Sequence, residues 1–410
     1  MTDSRTHDLL LPEGSRLLHI GATKTGSTSL QLSMYDAREE MLEHGVRLVG
    51  GDLAGRAAVK AALRGELDDD APARQLRRWE EVVEEISTAV DPRVCLSNGS
   101  LCEIEQDRAR AMVEALGGDR AHVVAVCRGL DRLLPSQWQE SVRDGTVALP
   151  YEAWLETVLG DHPDDPSWQH FWTPHDIERL VDRWVAVTAR DRFTLVVADD
   201  GDRLALSHCF EQMLGLPEGM LAPQESQRRN ESASAERVEA VRLLNERLVD
   251  RPWPEDIKAD LRSRVAKRIR SAAPAWPGES RIPPMPGWAA DRVRELSERR
   301  EKTVRSLGVQ VIGDPAHLRP SPTEDMESVT SAPDTPYTVS TELAAEMVVT
   351  AIGGAVQLLK EQRKRDRRQV GRLRRQARGS QPPRTALAAF GARDLARELG
   401  HRIARRLTRR

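Results

Sequence analysis

The sequence predicts an α/β fold, a central and mainly parallel sheet flanked by helices. Three observations lead there. Short apolar runs alternate with helical patterns from residue 15 to residue 315, the order that builds strand–helix–strand crossovers. One run, AHVVAVC at 121–127, is short and rich in β-branched and apolar residues, as strands buried on both faces are. The first run leads into a loop of glycines and hydroxyls that opens straight into a helical pattern, RLLHIGATKTGSTSLQ at 16–31.

Taken in order, the apolar runs place strands at Leu17–Ile20, Val46–Val49, Val94–Ser97, Val123–Cys127 and Phe193–Val197. Helices follow from apolar residues three and four apart. They are expected at Ser27–Tyr35, Glu103–Leu116, Leu133–Arg143, Asp176–Ala189, Ala233–Asp250, Pro254–Ala272 and Trp288–Ser306, with a further helix in SHCFEQMLGL at 207–216. Ligands of such sheets bind beyond the carboxyl ends of the strands, so the segments that follow strands are where function is sought.

The first of these is the loop Gly21–Thr28. Successive loop N–H groups and the N-terminal end of a helix dipole suit a phosphate or a sulfate-like group. A Walker A loop reads G-x-x-x-x-G-K-[ST]. Here Gly21 and Gly26 keep the glycine spacing, Ser27 stands where the lysine belongs, and Lys24 lies two residues before Gly26. A kinase or ATPase built on this loop lacks its usual β/γ-phosphate contact. The second segment follows the strand at 121–127. Arg128 ends it, and Ser136 comes eight residues later. Arginine is suited to phosphate because its fork presents several donors and stays charged.

The order lysine, hydroxyl, glycine, hydroxyl, hydroxyl, together with the strand-Arg128-x7-Ser136 arrangement, resembles the sulfotransferases that use 3′-phosphoadenosine 5′-phosphosulfate (PAPS). LLPSQWQESVRDG, FWTPHDIERLVDRW, residues 193–214, QRRNESAS and LGVQVIGDPAHLRP are similar to a bacterial sulfotransferase-like family, so the resemblance spans roughly residues 15–320. It implies a P-loop nucleotide-binding fold. It further implies that Lys24 contacts the bridging oxygen of PAPS, and that Thr25, Gly26, Ser27 and Thr28 hold the 5′-phosphate. Arg128 and Ser136 then hold the 3′-phosphate, and no metal is required.

The acceptor half departs from that pattern. Many relatives carry a glutamate after a central strand, in a pattern like S-x-E. This chain reads Ser97-Asn98-Gly99, with Gly99 at the carboxylate position. Glu103 is the substitute base, and its competing role is to cap a helix start. His175 and Trp172 are acceptor-site candidates, in a cluster with Trp168, Phe171 and His170 that core packing explains equally well. The acceptor implied is a hydroxyl or amine of a carbohydrate, lipid or secondary metabolite. Two other readings stand beside transfer: a catalytically impaired nucleotide binder of the same fold that scaffolds or regulates, and a P-loop kinase.

Composition fits a soluble enzyme, and the resemblance implies a bacterial, cytoplasmic one. The 410 residues are 39% hydrophobic and 30% charged. Cys95, Cys102, Cys127 and Cys209 lack CxxC spacing and read as free thiols rather than disulfides or zinc ligands. Residues 1–14 form an N-terminal extension without the basic and apolar regions of a signal peptide. Residues 15–315 are the sulfotransferase-like domain. Residues 316–340, rich in Pro, Ser, Thr and acid, form a disordered linker, and 341–410 a basic helical tail. Residues 360–410 hold 18 Lys and Arg against 4 Asp and Glu, a net +14 in a chain of −3. The near-neutral total therefore conceals an acidic body of −17. Leu395, Leu399, Ile403 and Leu407 recur every fourth residue among arginines. Such a stripe suits an anionic membrane surface, at the inner face, or an acidic protein. It could also fold back on the acidic body. Nucleic acid is disfavoured because no aromatic residues interleave the charge.

Overall fold

The computed structural model describes residues 9–64, 73–223, 234–262 and 282–320, apart from 256, 257, 260 and 283, and scattered positions between 341 and 367. The chain forms two compact units, Met1–Leu343 and Ala344–Arg410. In the second, the described positions are helical. Of the linker expected at 316–340, residues 321–340 lie outside the described residues, as does the tail helix expected beyond residue 385; residues 316–318 belong instead to the 3-10 turn Pro315–Leu318, where Leu318 is buried.

The first unit is built on six strands: β1 (Arg16–Gly21), β2 (Val46–Val49), β3 (Arg93–Ser97), β4 (Ala121–Cys127), β5 (Phe193–Val197) and β6 (Gln310–Ile312). They pair in the order β2-β3-β1-β4-β5-β6, and every pairing is parallel. The five expected strands are present, and β6 adds an edge that three residues could not announce. β1, β4 and β5 are buried along their whole length, which is why their sequences are mostly apolar on both faces.

Helices cover both faces. They are α1 (Ser27–Asp36), α2 (Arg38–Glu43), α3 (Leu53–Arg64), α4 (Ala73–Thr88), α5 (Gln106–Leu116), α6 (Leu130–Asp144), α7 (Tyr151–Leu159), α8 (Pro166–His175), α9 (Ile177–Val185), α10 (Ala205–Leu214), α11 (Ala235–Val249) and α12 (Gly287–Ser306). One apolar cluster joins Leu18, Ile20, Leu96, Val123 and Leu195 of the sheet to Val113, Leu116, Trp184 and Val304 of helices. The opposite face packs Leu17, Cys95, Val124 and Val196 on Leu30, Met34, Phe210 and Met213. Alternate strand residues thus feed two cores. All four cysteines are buried free thiols.

Two details differ from expectation. The helix expected from Glu103 starts at Gln106, and Gly99–Glu103 is a tight 3-10 turn instead. The Asn98 side chain accepts from the Ser100 N–H at 3.0 Å and so fixes that turn before an α-helix can begin. Five helices, α2, α3, α4, α7 and α8, occupy stretches for which no helix was expected. The helix expected at 254–272 lies mostly outside the described residues.

The strand order fixes where a site belongs. The chain leaves β1, builds β2 and β3 on one side, then crosses to build β4 and β5 on the other. The sheet's switch point therefore lies at β1, and a crevice opens outside the carboxyl ends of β1 and its neighbours β3 and β4. Among the described residues no helix is long and apolar enough to cross a membrane.

Candidate functional site

The loop after β1 sits at this crevice. The Ala22 N–H donates to the Val126 carbonyl at 3.0 Å, which ties the loop's first residue to β4. Lys24 and Gly26 both take left-handed backbone, with φ of 63° and 90°. Glycine adopts this freely, while lysine pays on the order of 1 kcal/mol for it. Gly26 is the N-cap of α1, so the N–H groups of Ser27 and Thr28 open the helix with no partner inside it.

The loop's hydroxyls divide into two sets. Thr25 Oγ1 donates to the Ala22 carbonyl at 2.8 Å, and Ser27 Oγ donates to the same oxygen at 3.2 Å. Ser27 Oγ also lies 3.4 Å from His19 Nε2, whose Nδ1 meets Ser97 Oγ at 2.7 Å. Thr25 and Ser27 are thus buried, structural hydroxyls. Their contribution to an anion would come from their backbone N–H groups, and Thr28 is the exposed hydroxyl. His19 is fully buried, and desolvation pushes its pKa down to about 3. It is neutral and crosslinks β1, β3 and the loop.

Both predicted cations reach the crevice, and each is paired. Lys24 Nζ forms an ion pair with Glu140 Oε2 of α6. Arg128, at the end of β4, donates Nε to Asp200 Oδ1 at 2.8 Å and Nη2 to the same carboxylate. It also donates Nη1 to the Lys24 carbonyl at 3.1 Å. The two basic residues of the separate sequence motifs are therefore joined directly. Ser136 lies on α6 one turn before Glu140, on the same helix face. Behind Arg128, Arg300 of α12 donates Nη1 to its carbonyl at 3.0 Å. Arg300 is buried, and desolvation lowers its pKa.

The acceptor candidates are placed differently. Gly99 lies against the loop: a Cβ on Gly21 would meet the Gly99 Cα and carbonyl oxygen, each at 3.1 Å. A Cβ on Gly99 itself would meet nothing within 4 Å. Glu103 is exposed at the end of the 3-10 turn. His175 is buried at the end of α8, with its ring 5.1 Å from that of Phe171. Burial, Arg300 and His170 together push its pKa down to about 3. Trp172 donates Nε1 to the Val158 carbonyl at 2.7 Å and stacks edge-on with Phe171. Trp168 likewise donates to the Gly160 carbonyl at 3.2 Å. These indoles pin α8 to α7, the packing role that competed with an acceptor role.

Three residues of the site escaped sequence reasoning: Glu140, Asp200 and Arg300. Asp200 carried a usable signal, because it lies just beyond β5 on the ligand-binding side of a parallel sheet. Glu140 lies four residues past Ser136, and hence on the same helical face. Arg300 stands in an arginine-rich helix with nothing to single it out. Among the described residues no group of three or more His, Cys, Asp or Glu side chains gathers as a metal site. No protein-family model, curated protein or solved structure matches the chain.

Proposed function

We propose that this chain is a sulfotransferase that takes a sulfuryl group from PAPS and passes it to a hydroxyl or amine of a small-molecule, lipid or glycan acceptor. One observation carries the reading: the Arg128 guanidinium donates to the carbonyl of Lys24. Two motifs more than a hundred residues apart thereby form one basic site at the carboxyl ends of adjacent strands. PAPS presents anionic groups at its 3′ and 5′ positions, and it calls for two such anchors.

In this reading the α1 N-terminus, through the N–H groups at 25–28 and the Thr28 hydroxyl, holds the 5′-phosphate. Arg128 and Ser136 hold the 3′-phosphate. Lys24 contacts the bridging oxygen and stabilises the charge that builds on the departing nucleotide. Positioning and electrostatic stabilisation supply most of the rate in such a transfer.

The test is a thermal shift on the full chain. 3′-Phosphoadenosine 5′-phosphate (PAP) should raise the melting temperature; at a hundred times its Kd it adds about 2.7 kcal/mol. Stabilisation by ATP–Mg²⁺ without a response to PAP would favour the P-loop kinase and sink this proposal. Lys24→Ala should abolish sulfate transfer and leave the fold.

Gly99 favours a second reading. With no carboxylate at that position, the chain could bind nucleotide for scaffolding or regulation without turning it over. Radiolabelled PAPS incubated with the protein and a cell extract separates the two: binding of PAP with no labelled product supports the binder.

A further inference from the structure

We propose that Glu140 is the general base of the transfer, in the role that Gly99 leaves vacant. The proposal rests on the sulfotransferase reading above. A base must lie within hydrogen-bond reach of the proton it removes. Several carboxylates lie at the crevice or its approach, among them Glu140, Asp200, Asp131 in the first turn of α6, and Glu103. Asp200 is committed to Arg128 through both its oxygens. Glu103 is exposed at the end of the 3-10 turn. Glu140 pairs with Lys24, the residue placed at the bridging oxygen.

In-line transfer sets the attacking oxygen on the far side of sulfur from that bridging oxygen, roughly 3–4 Å from it, within the reach of a near-attack geometry. A carboxylate one contact from the Lys24 ammonium can therefore meet the attacking group. When Lys24 turns to the nucleotide, Glu140 keeps a second partner. Arg143, three residues on, also pairs with it and holds the carboxylate on the same face of α6. About a quarter of each of the Lys24 and Glu140 side chains is exposed, so an incoming acceptor can approach both.

The step balances as follows. The acceptor oxygen forms a bond to sulfur as the bond from sulfur to the bridging oxygen breaks. The departing phosphate keeps the electron pair, next to Lys24. The acceptor's proton passes to a Glu140 carboxylate oxygen and is later released to water.

The experiment uses the full chain, wild type and Glu140→Gln, with two probes: PAP binding by calorimetry, and release of labelled sulfate from PAPS with water as the acceptor. Glu140→Gln is expected to bind PAP as tightly as the wild type, or more tightly because a competitor for Lys24 is gone. Its sulfate release should fall about 10²–10⁴-fold. Retained or faster release in Glu140→Gln would show a mere counter-ion and overturn the proposal. A wild type that binds PAP but releases no sulfate also overturns it, and leaves the nucleotide-binder reading standing. Absence of PAP binding by the wild type removes the sulfotransferase reading itself.

Discussion

Gly21 and Gly99 meet backbone to backbone, so closely that a Cβ on Gly21 would lie 3.1 Å from both the Cα and the carbonyl oxygen of Gly99. The contact is one-sided, because a Cβ on Gly99 enters open space. Gly21 also holds a φ of 94°, which disfavours any L side chain. Gly21→Ala is therefore expected to lower stability by about 1–3 kcal/mol and to displace the loop. Gly99→Ala should stay within about 0.5 kcal/mol of wild type. Urea unfolding of the two variants checks this, and equal losses would refute the asymmetry.

Asp200 pairs with Arg128. On the proposed function, the 3′-phosphate must displace it. Asp200→Asn should tighten PAP binding, and Arg128→Ala should weaken it by about 10–100-fold, the worth of one charge-assisted hydrogen-bond set. Calorimetric titration of both variants decides. A weaker Asp200→Asn would mean that Asp200 positions Arg128 rather than competing for it.

Three imidazoles are buried neutral. Burial lowers His19 and His175 to about 3 and His122 to about 4, from an ordinary 6.5. In each case the unfolded chain binds a proton that the folded chain refuses. Stability is thus full above pH 6.5 and falls as the pH drops from 6.5 towards the folded values. At pH 5, unfolding should take up about three protons from these groups, read from the pH dependence of the unfolding free energy. Constant stability between pH 7 and pH 5 would contradict it.

Glu211 of α10 is almost fully buried, and its carboxylate accepts from the Gly219 N–H at 3.0 Å and the Leu221 N–H at 2.6 Å. It shapes the turn that follows α10. Glu211→Ala leaves both donors unmet and should cost about 2–4 kcal/mol. A loss under 1 kcal/mol in chemical denaturation would show that water reaches this turn.

The fold was legible because a buried parallel strand leaves an unmistakable trace. Val123–Cys127 and Phe193–Val197 have no polar side to confuse the reading. The amphipathic helices α3 and α4 passed unread because the chain there is charged and small-residue-rich. β6 is too short to leave any pattern. Within the site, Lys24 and Arg128 could be found from their place after strands. Their meeting could not, since it depends on β1 and β4 being neighbours. The hydroxyls of Thr25 and Ser27 carried the opposite lesson. A loop dense in donors looks wholly directed at a ligand, yet two of them serve the Ala22 carbonyl. The positions of Glu140 and Asp200 left a trace, but their pairing with Lys24 and Arg128 did not, because pairing between distant charges has no local sequence trace.

The two ion pairs, Lys24 with Glu140 and Arg128 with Asp200, set a threshold of valence for whatever enters. An anion with a single charged group can exchange with only one carboxylate and leaves the other pair closed. A ligand whose two anionic groups are spaced to span the loop and the end of β4 exchanges with both at once. On the proposed function, the site discriminates anions by the distance between their charges rather than by their strength.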